Sequence, residues 1–237
     1  MEHADHVGLI RDAVGAGETW LELGSGTGAF TLALAELLGV DGTIHSIDSD
    51  RGALATQAKA MRARFAGVRF DQRTADFTRP LGFSGMDGVL MANSLHFVQD
   101  KAPVVALVRS YLRPGGRFVL VEYDADRGNL WVPHPIGYTT WLAVAPGAGF
   151  SATRLLGRVP SRFLNAIYSC VSTMPEGRVE AGNARDIDRP ARPIRTVSKG
   201  IDMKKLLASL LAALLLAGAC GGAGGSPGGT DVPAIRY

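Results

Sequence analysis

Three alternating glycines, Gly24, Gly26 and Gly28, stand between two apolar runs. Trp20, Leu21 and Leu23 lead into them. The segment from Ala29 to Leu38 follows, broken only by Thr31 and Glu36. The pattern predicts a buried strand, a tight turn and a buried helix. Glycine permits the sharp turn and removes the side chains that would keep a ligand off the backbone. The free N–H groups at the helix start, with the helix dipole behind them, then face a polar or anionic group. A chain built around this turn holds a nucleotide-type cofactor at the end of a strand.

The rest of the chain repeats the alternation. Strand patterns fall at 18–23, 43–48, 68–72, 87–92 and 117–123. Helix patterns fall at 3–14, 28–38, 50–64 and 101–112. This predicts an α/β fold, doubly wound, with a mostly parallel sheet and helices on both faces. Ligands in such folds bind at the carboxyl ends of the strands. Beyond Tyr123 the pattern changes to a loop at 124–135, a helix at 137–148 and two strands at 152–159 and 163–171.

The glycines alone leave the cofactor open. Gly24 to Ala29 satisfies a loose dinucleotide pattern, G-x-G-x-x-G/A. Thr43 to Asp48 then ends in the acid that a ribose needs, under either of two readings. Three further features separate them. Glu22 lies two residues before the first glycine. Ala75-Asp76-Phe77 follows the third strand pattern. Leu112-Arg113-Pro114-Gly115-Gly116 ends a helix and turns the chain into the apolar run Arg117 to Glu122.

In this order, from residue 1 to about 172, these motifs resemble those of the class I S-adenosylmethionine-dependent methyltransferases, small-molecule type. The resemblance implies a seven-stranded Rossmann-like sheet whose last strand is antiparallel. It implies S-adenosylmethionine as cofactor, with Gly24, Ser25, Gly26 and Gly28 forming the cradle. Glu22 is then expected near the methionine end, Asp48 and Ser49 at the ribose, and Asp76 and Phe77 at the adenine. Asn93, at the end of the fourth strand, completes the set.

Met91-Ala92-Asn93-Ser94-Leu95-His96-Phe97-Val98 stands between cofactor and acceptor in that family. It differs from the N/D-P-P-Y/F run of enzymes that methylate nucleic-acid amines, and resembles the N-x-L/F-H run of the small-molecule group. His96 is the candidate general base, because its ordinary pKa lies near neutrality; the competing reading is a polar helix residue pointing at solvent or at the cofactor edge. Glu122, Tyr123 and Asp124 end the fifth strand at the same cleft. They either orient an acceptor or satisfy loop backbone groups, and the second reading is favoured. Trp131, His134, Tyr138 and Trp141 are read as acceptor wall or as core, and His3 and His6 as lid or as solvated side chains. Little lid material is visible, which suggests a small acceptor in an open cleft or a homodimer whose second copy completes the site.

Charge excludes one class of partner. The net charge is +3, but residues 1–174 hold 16 basic and 16 acidic side chains, against 9 and 6 in residues 175–237. The folded part therefore exerts no net pull on a nucleic acid. Cys170 and Cys220 offer no metal-ligand spacing, and Cys170 reads as a small buried hydrophobe. The chain opens on no signal peptide, and a reducing, cytoplasmic setting is expected.

The composition shifts after Met174. Residues 175–202, rich in Arg, Pro and Gly, are expected to form a disordered linker. Residues 203–222 resemble a bacterial lipoprotein signal peptide, with Met203-Lys204-Lys205, an apolar run over 206–219 and Cys220. Its readings are a fused reading frame, which is preferred, a tail anchor that is the sole route to membrane contact, or an ordinary helix. The run is short of the roughly 20 residues that span a bilayer. The predicted domains are thus 1–174, 175–202 and 203–237. The predicted function is methyl transfer to a small molecule. The rivals are an NAD-dependent oxidoreductase and a non-catalytic cofactor-binding module.

Overall fold

A computed structural model describes residues 1–177. The expectations for 203–237, and for all but the first residues of the linker, lie outside the described residues.

The elements follow in the order α1 His3–Ile10, β1 Thr19–Leu23, α2 Ala29–Leu38, β2 Thr43–Asp48, α3 Arg51–Arg64, β3 Arg69–Thr74, β4 Met86–Ala92, α4 Ala102–Tyr111, β5 Leu112–Tyr123, α5 Tyr138–Val144, β6 Ala152–Pro160 and β7 Ala166–Thr173. The strands form one sheet in the order β3-β2-β1-β4-β5-β7-β6. The first five run parallel, and β7 pairs antiparallel with both β5 and β6. The doubly wound expectation holds, including the antiparallel last strand. That strand separates this sheet from the 3-2-1-4-5-6 order typical of dinucleotide-binding domains, and weighs against the oxidoreductase.

The central strands are buried on both faces, so they read as nearly unbroken apolar runs. On β1, Trp20 packs with Phe30, Leu34 and Ile44 on the side of α1, α2 and α3. Leu21 and Leu23 pack with Val108, Phe118 and Trp141 on the side of α4 and α5. Gly88 on β4 lets the Trp20 indole lie across the neighbouring strand; a Cβ there would sit 2.4 Å from the ring. At the outer edge, β3 carries Arg69, Asp71 and Arg73 exposed, which discourages further strand addition. Asp50 caps α3, accepting from the N–H groups of Gly52 and Ala53 at 2.7 and 3.2 Å.

Four boundaries depart from expectation. The helix predicted to reach 148 ends at Val144, ahead of Pro146. The first helix stops at Ile10 and tightens into a 3-10 turn at Arg11–Ala13. Strand β5 starts at Leu112, so Pro114-Gly115-Gly116 forms a bulge inside it; Met86 pairs with Leu112 and Gly88 with Arg117. The last strand begins at Ala166, because Asn165 takes a left-handed backbone (φ 23°) that breaks extension through Phe163 and Leu164.

Candidate active site

The order of the sheet reverses between β1 and β4, and the predicted site residues gather at the carboxyl ends of the strands there. The β1–α2 turn is tied down from below, since Ile47 O accepts from the N–H groups of both Gly24 and Ser25. All three motif glycines have left-handed φ angles of 73°, 53° and 96°. Their surroundings differ. A Cβ on Gly24 would lie 2.5 Å from Ser94 Cβ, and one on Gly28 would lie 2.6 Å from Gln57 Cγ. A Cβ on Gly26 would meet nothing within 4 Å. Two of the glycines therefore close the fold, and the middle one keeps the backbone bare toward open space.

Glu22 is buried beneath this turn. Its carboxyl accepts from the Thr31 hydroxyl at 2.5 Å, and Thr31 accepts from the Gln57 amide at 2.5 Å. Gln57 continues the chain to Ser46 and Gln72. Burial pushes the Glu22 carboxyl from 4.5 up to about 8, against the lowering effect of Thr31. A neutral acid thus links the glycine turn to α2, α3 and two strands.

Asp48 ends β2 and is half-buried. One of its oxygens accepts from Gly26 N–H at 2.7 Å, the other from Asp50 N–H at 2.8 Å. It faces the bare part of the cradle and takes no part in capping α3, which is the task of Asp50. Ser49 follows it, exposed. Asp76 is exposed too, but one of its oxygens is engaged by the Thr78 N–H and hydroxyl at 2.8 and 2.7 Å. Those bonds hold its carboxyl below its ordinary value. The Phe77 ring lies against the Gly24 turn.

At the end of β4, Asn93 adopts a left-handed backbone (φ 51°), and its N–H donates to Val121 O of β5. Ser94 Oγ donates to Leu23 O at 2.8 Å, pinning this loop to β1. The chain then makes a 3-10 turn, Leu95–Phe97, that carries His96 back over β5. His96 Nδ1 lies 2.9 and 3.1 Å from the two Glu122 oxygens. The carboxylate also accepts from the backbone N–H of His96 at 3.0 Å and of Tyr123 at 2.7 Å. Both side chains are buried. Glu122 therefore satisfies loop backbone, as expected, and also grips the imidazole. That second task was not legible, because 26 residues separate the partners.

Aromatic side chains surround the pair. The Phe97 ring lies 4.3 Å from the imidazole and Tyr123 lies edge-on at 5.6 Å. Phe163 meets Tyr123 at 6.5 Å. Phe97, Trp131 and Phe163 are half exposed. Of the aromatic residues read as wall or core, Trp141 is core, donating its indole N–H to Ser172 at 3.0 Å, and Tyr138 packs on Tyr168. His134 joins the site only through its backbone N–H, which donates to His96 O. His3 pairs with Glu36, and His6 packs against Phe30. Cys170 is buried and free.

Two buried side-chain oxygens at this site lack a hydrogen-bond partner among the described residues, Ser25 Oγ and Asn93 Oδ1. Such groups cost about 1–3 kcal/mol unless something pairs with them. Both belong to the set the sequence assigns to the cofactor. With the bare Gly26 turn and the Asp48 carboxylate, they fit a ligand carrying hydroxyl, amino and carboxylate groups, as S-adenosylmethionine does.

The comparisons agree with this geometry. The model of a methyltransferase domain family matches residues 21–118. The ubiquinone/menaquinone biosynthesis C-methyltransferase of Teredinibacter turnerae is 29% identical over 116 residues, covering 48% of this chain and 46% of that protein. The O-methyltransferase cnsE of Penicillium expansum is 28% identical over 117 residues, covering 49% and 42%. The chain spans less than half the length of these two curated relatives. Among solved structures, the 1,6-didemethyltoxoflavin-N1-methyltransferase of Burkholderia thailandensis, with S-adenosylhomocysteine bound, superposes with a TM-score of 0.60 at 17% identity, covering 73% of this chain and 78% of that one.

Proposed function

We propose that this chain, in which residues 21–118 match a methyltransferase domain family, carries a class I S-adenosylmethionine-dependent methyltransferase domain and moves a methyl group to a small-molecule acceptor that loses a proton as it reacts. The buried His96–Glu122 pair carries the reading. When bound, the cofactor supplies an electrophilic methyl group on a sulfonium sulfur. The Gly24–Gly28 turn, Ser25 and Asn93 would hold its polar groups, Asp48 and Ser49 the ribose, and Asp76 and Phe77 the adenine. Glu22 supports the cradle at the methionine end.

Glu122 accepts from His96 Nδ1–H, which leaves the Nε2 lone pair available. His96 then takes the acceptor's proton at Nε2, and the adjacent carboxylate balances the imidazolium charge. The Ser94–Leu23 tie fixes this loop against β1, so the base is held at a set position relative to the glycine turn. Acceptors that need such a base carry a hydroxyl or an activated C–H; the similar proteins include enzymes named for O- and for C-methylation. Two further points belong to the same proposal. The domain closes near residue 174, supported by the end of β7 at Thr173 and by Met174 N–H donating to Gly116 O. The reaction takes place in the cytoplasm, a setting supported by a chain of two cysteines, too few for a disulfide scaffold.

The test uses S-adenosylmethionine labelled in the methyl group with a panel of phenols, catechols and β-dicarbonyl compounds. His96→Ala should lower turnover by at least about a hundredfold, with S-adenosylhomocysteine affinity kept within a few-fold. Retained turnover overturns His96 as base. Cofactor binding with no turnover on any acceptor favours a non-catalytic module.

A further inference from the structure

A groove of about 550 Å3 runs between α4 and α5, away from every residue assigned to the cofactor. Its apolar lining is the exposed Ala102, Ala106 and Val144, with the largely buried Val105, Ile136 and Trp141. A cation stands toward each end, Lys101 at the start of α4 and Arg109 in its last turn, and none of the described lining residues is acidic. Lys101 donates to Val98 O and His134 O at 2.9 and 2.7 Å. Arg109 is different. Its guanidinium lies close beside Gly149, where a Cβ would fall 2.5 Å from the guanidinium carbon. Its Nε is buried and has no hydrogen-bond partner among the described residues.

A buried guanidinium N–H without a partner is costly in a free protein. Planar guanidinium groups match carboxylates, to which they donate in pairs. The eight steps from Lys101 to Arg109 extend about 12 Å at 1.5 Å per residue, the length of a medium acyl chain. We propose that this groove binds an amphipathic carboxylate, with its head on Arg109 and its chain along the apolar wall toward Lys101. The occupant is a small molecule; mostly apolar clefts with one or two placed polar groups suit such ligands. The site is separate from the methyl-transfer centre, and the inference does not depend on that chemistry.

The experiment is calorimetric titration of the full chain with sodium decanoate and, in parallel, with decanol. Decanoate should bind at least about tenfold tighter than decanol, the difference a charge-assisted pair supplies. Arg109→Gln should abolish that preference. Ala106→Trp, which fills the groove from the exposed face of α4, should block both ligands. Each variant is first checked for S-adenosylhomocysteine binding, which reports the folded cofactor site without requiring turnover. Equal affinity for decanoate and decanol overturns the proposal, as does unaltered decanoate binding in Arg109→Gln. So do competition between decanoate and S-adenosylhomocysteine, absence of binding, and a groove found covered by a second copy of the chain.

Discussion

Replacing Glu22 by Gln tests whether the acid under the glycine turn is neutral. The carboxyl is buried, and its folded pKa is raised from 4.5 to about 8. The unfolded chain releases this proton near 4.5 and the folded chain keeps it. Between those values the folded state binds more protons, so stability falls as pH rises. The slope is about 1.4 kcal/mol per pH unit. Over the whole window the loss is about 5 kcal/mol, complete once pH passes the folded value. Glutamine copies the size of the neutral acid and accepts the same bond from Thr31. Urea unfolding of both proteins at half-unit steps from pH 5 to 8.5 reads the difference. The native chain should lose stability relative to Glu22→Gln at close to the stated slope, and the two curves should run parallel above about pH 8. S-adenosylhomocysteine affinity at pH 6 should change little. Parallel stability curves from pH 5 upward would refute the reasoning, because they require a carboxylate already ionised in the fold.

The remaining expectations concern the cradle and the sheet beneath it. Asp48→Asn should weaken S-adenosylhomocysteine binding by about 1.5–3 kcal/mol in calorimetry, the range for hydrogen bonds to a charged group; unchanged affinity removes Asp48 from the site. Gly26→Ala places its Cβ in open space, so the variant should fold, with a backbone cost of about 1–2 kcal/mol, and lose cofactor affinity. Gly28→Ala drives a Cβ into Gln57, so its thermal midpoint should fall further than that of Gly26→Ala; the reverse order contradicts the division of labour among the glycines. Gly88→Ala should destabilise by at least about 1–3 kcal/mol through overpacking against Trp20, and an unaltered denaturant midpoint would show that β1 and β4 have room to shift.

The parts of this site legible in the sequence are those fixed by local chemistry. Gly24, Gly26 and Gly28 announce their turn because left-handed backbone at three alternating positions admits little else. Asp48 follows from its place at the end of the second strand, where ribose-binding folds set an acid. Asp76 shows the limit of such reading, since a threonine two residues on supplies a competing local partner that spacing does not reveal. The sequence of Pro114-Gly115-Gly116 predicts a turn, although the ladder resumes across it and makes it a bulge. His96 and Glu122 lie further from local reach. Each residue type suggested its own role, but their pairing depends on β4 lying parallel beside β5, with Ala92 opposite Val121. From that register Glu122 is one residue beyond the last pair, while His96 is four beyond Ala92. An extended chain would carry the histidine well past the acid. The 3-10 turn at Leu95–Phe97 brings it back, held where Ser94 reaches Leu23 and Asn93 reaches Val121. The His96–Glu122 pair is therefore a product of sheet register and one short turn, and a shift in either separates the imidazole from the carboxylate.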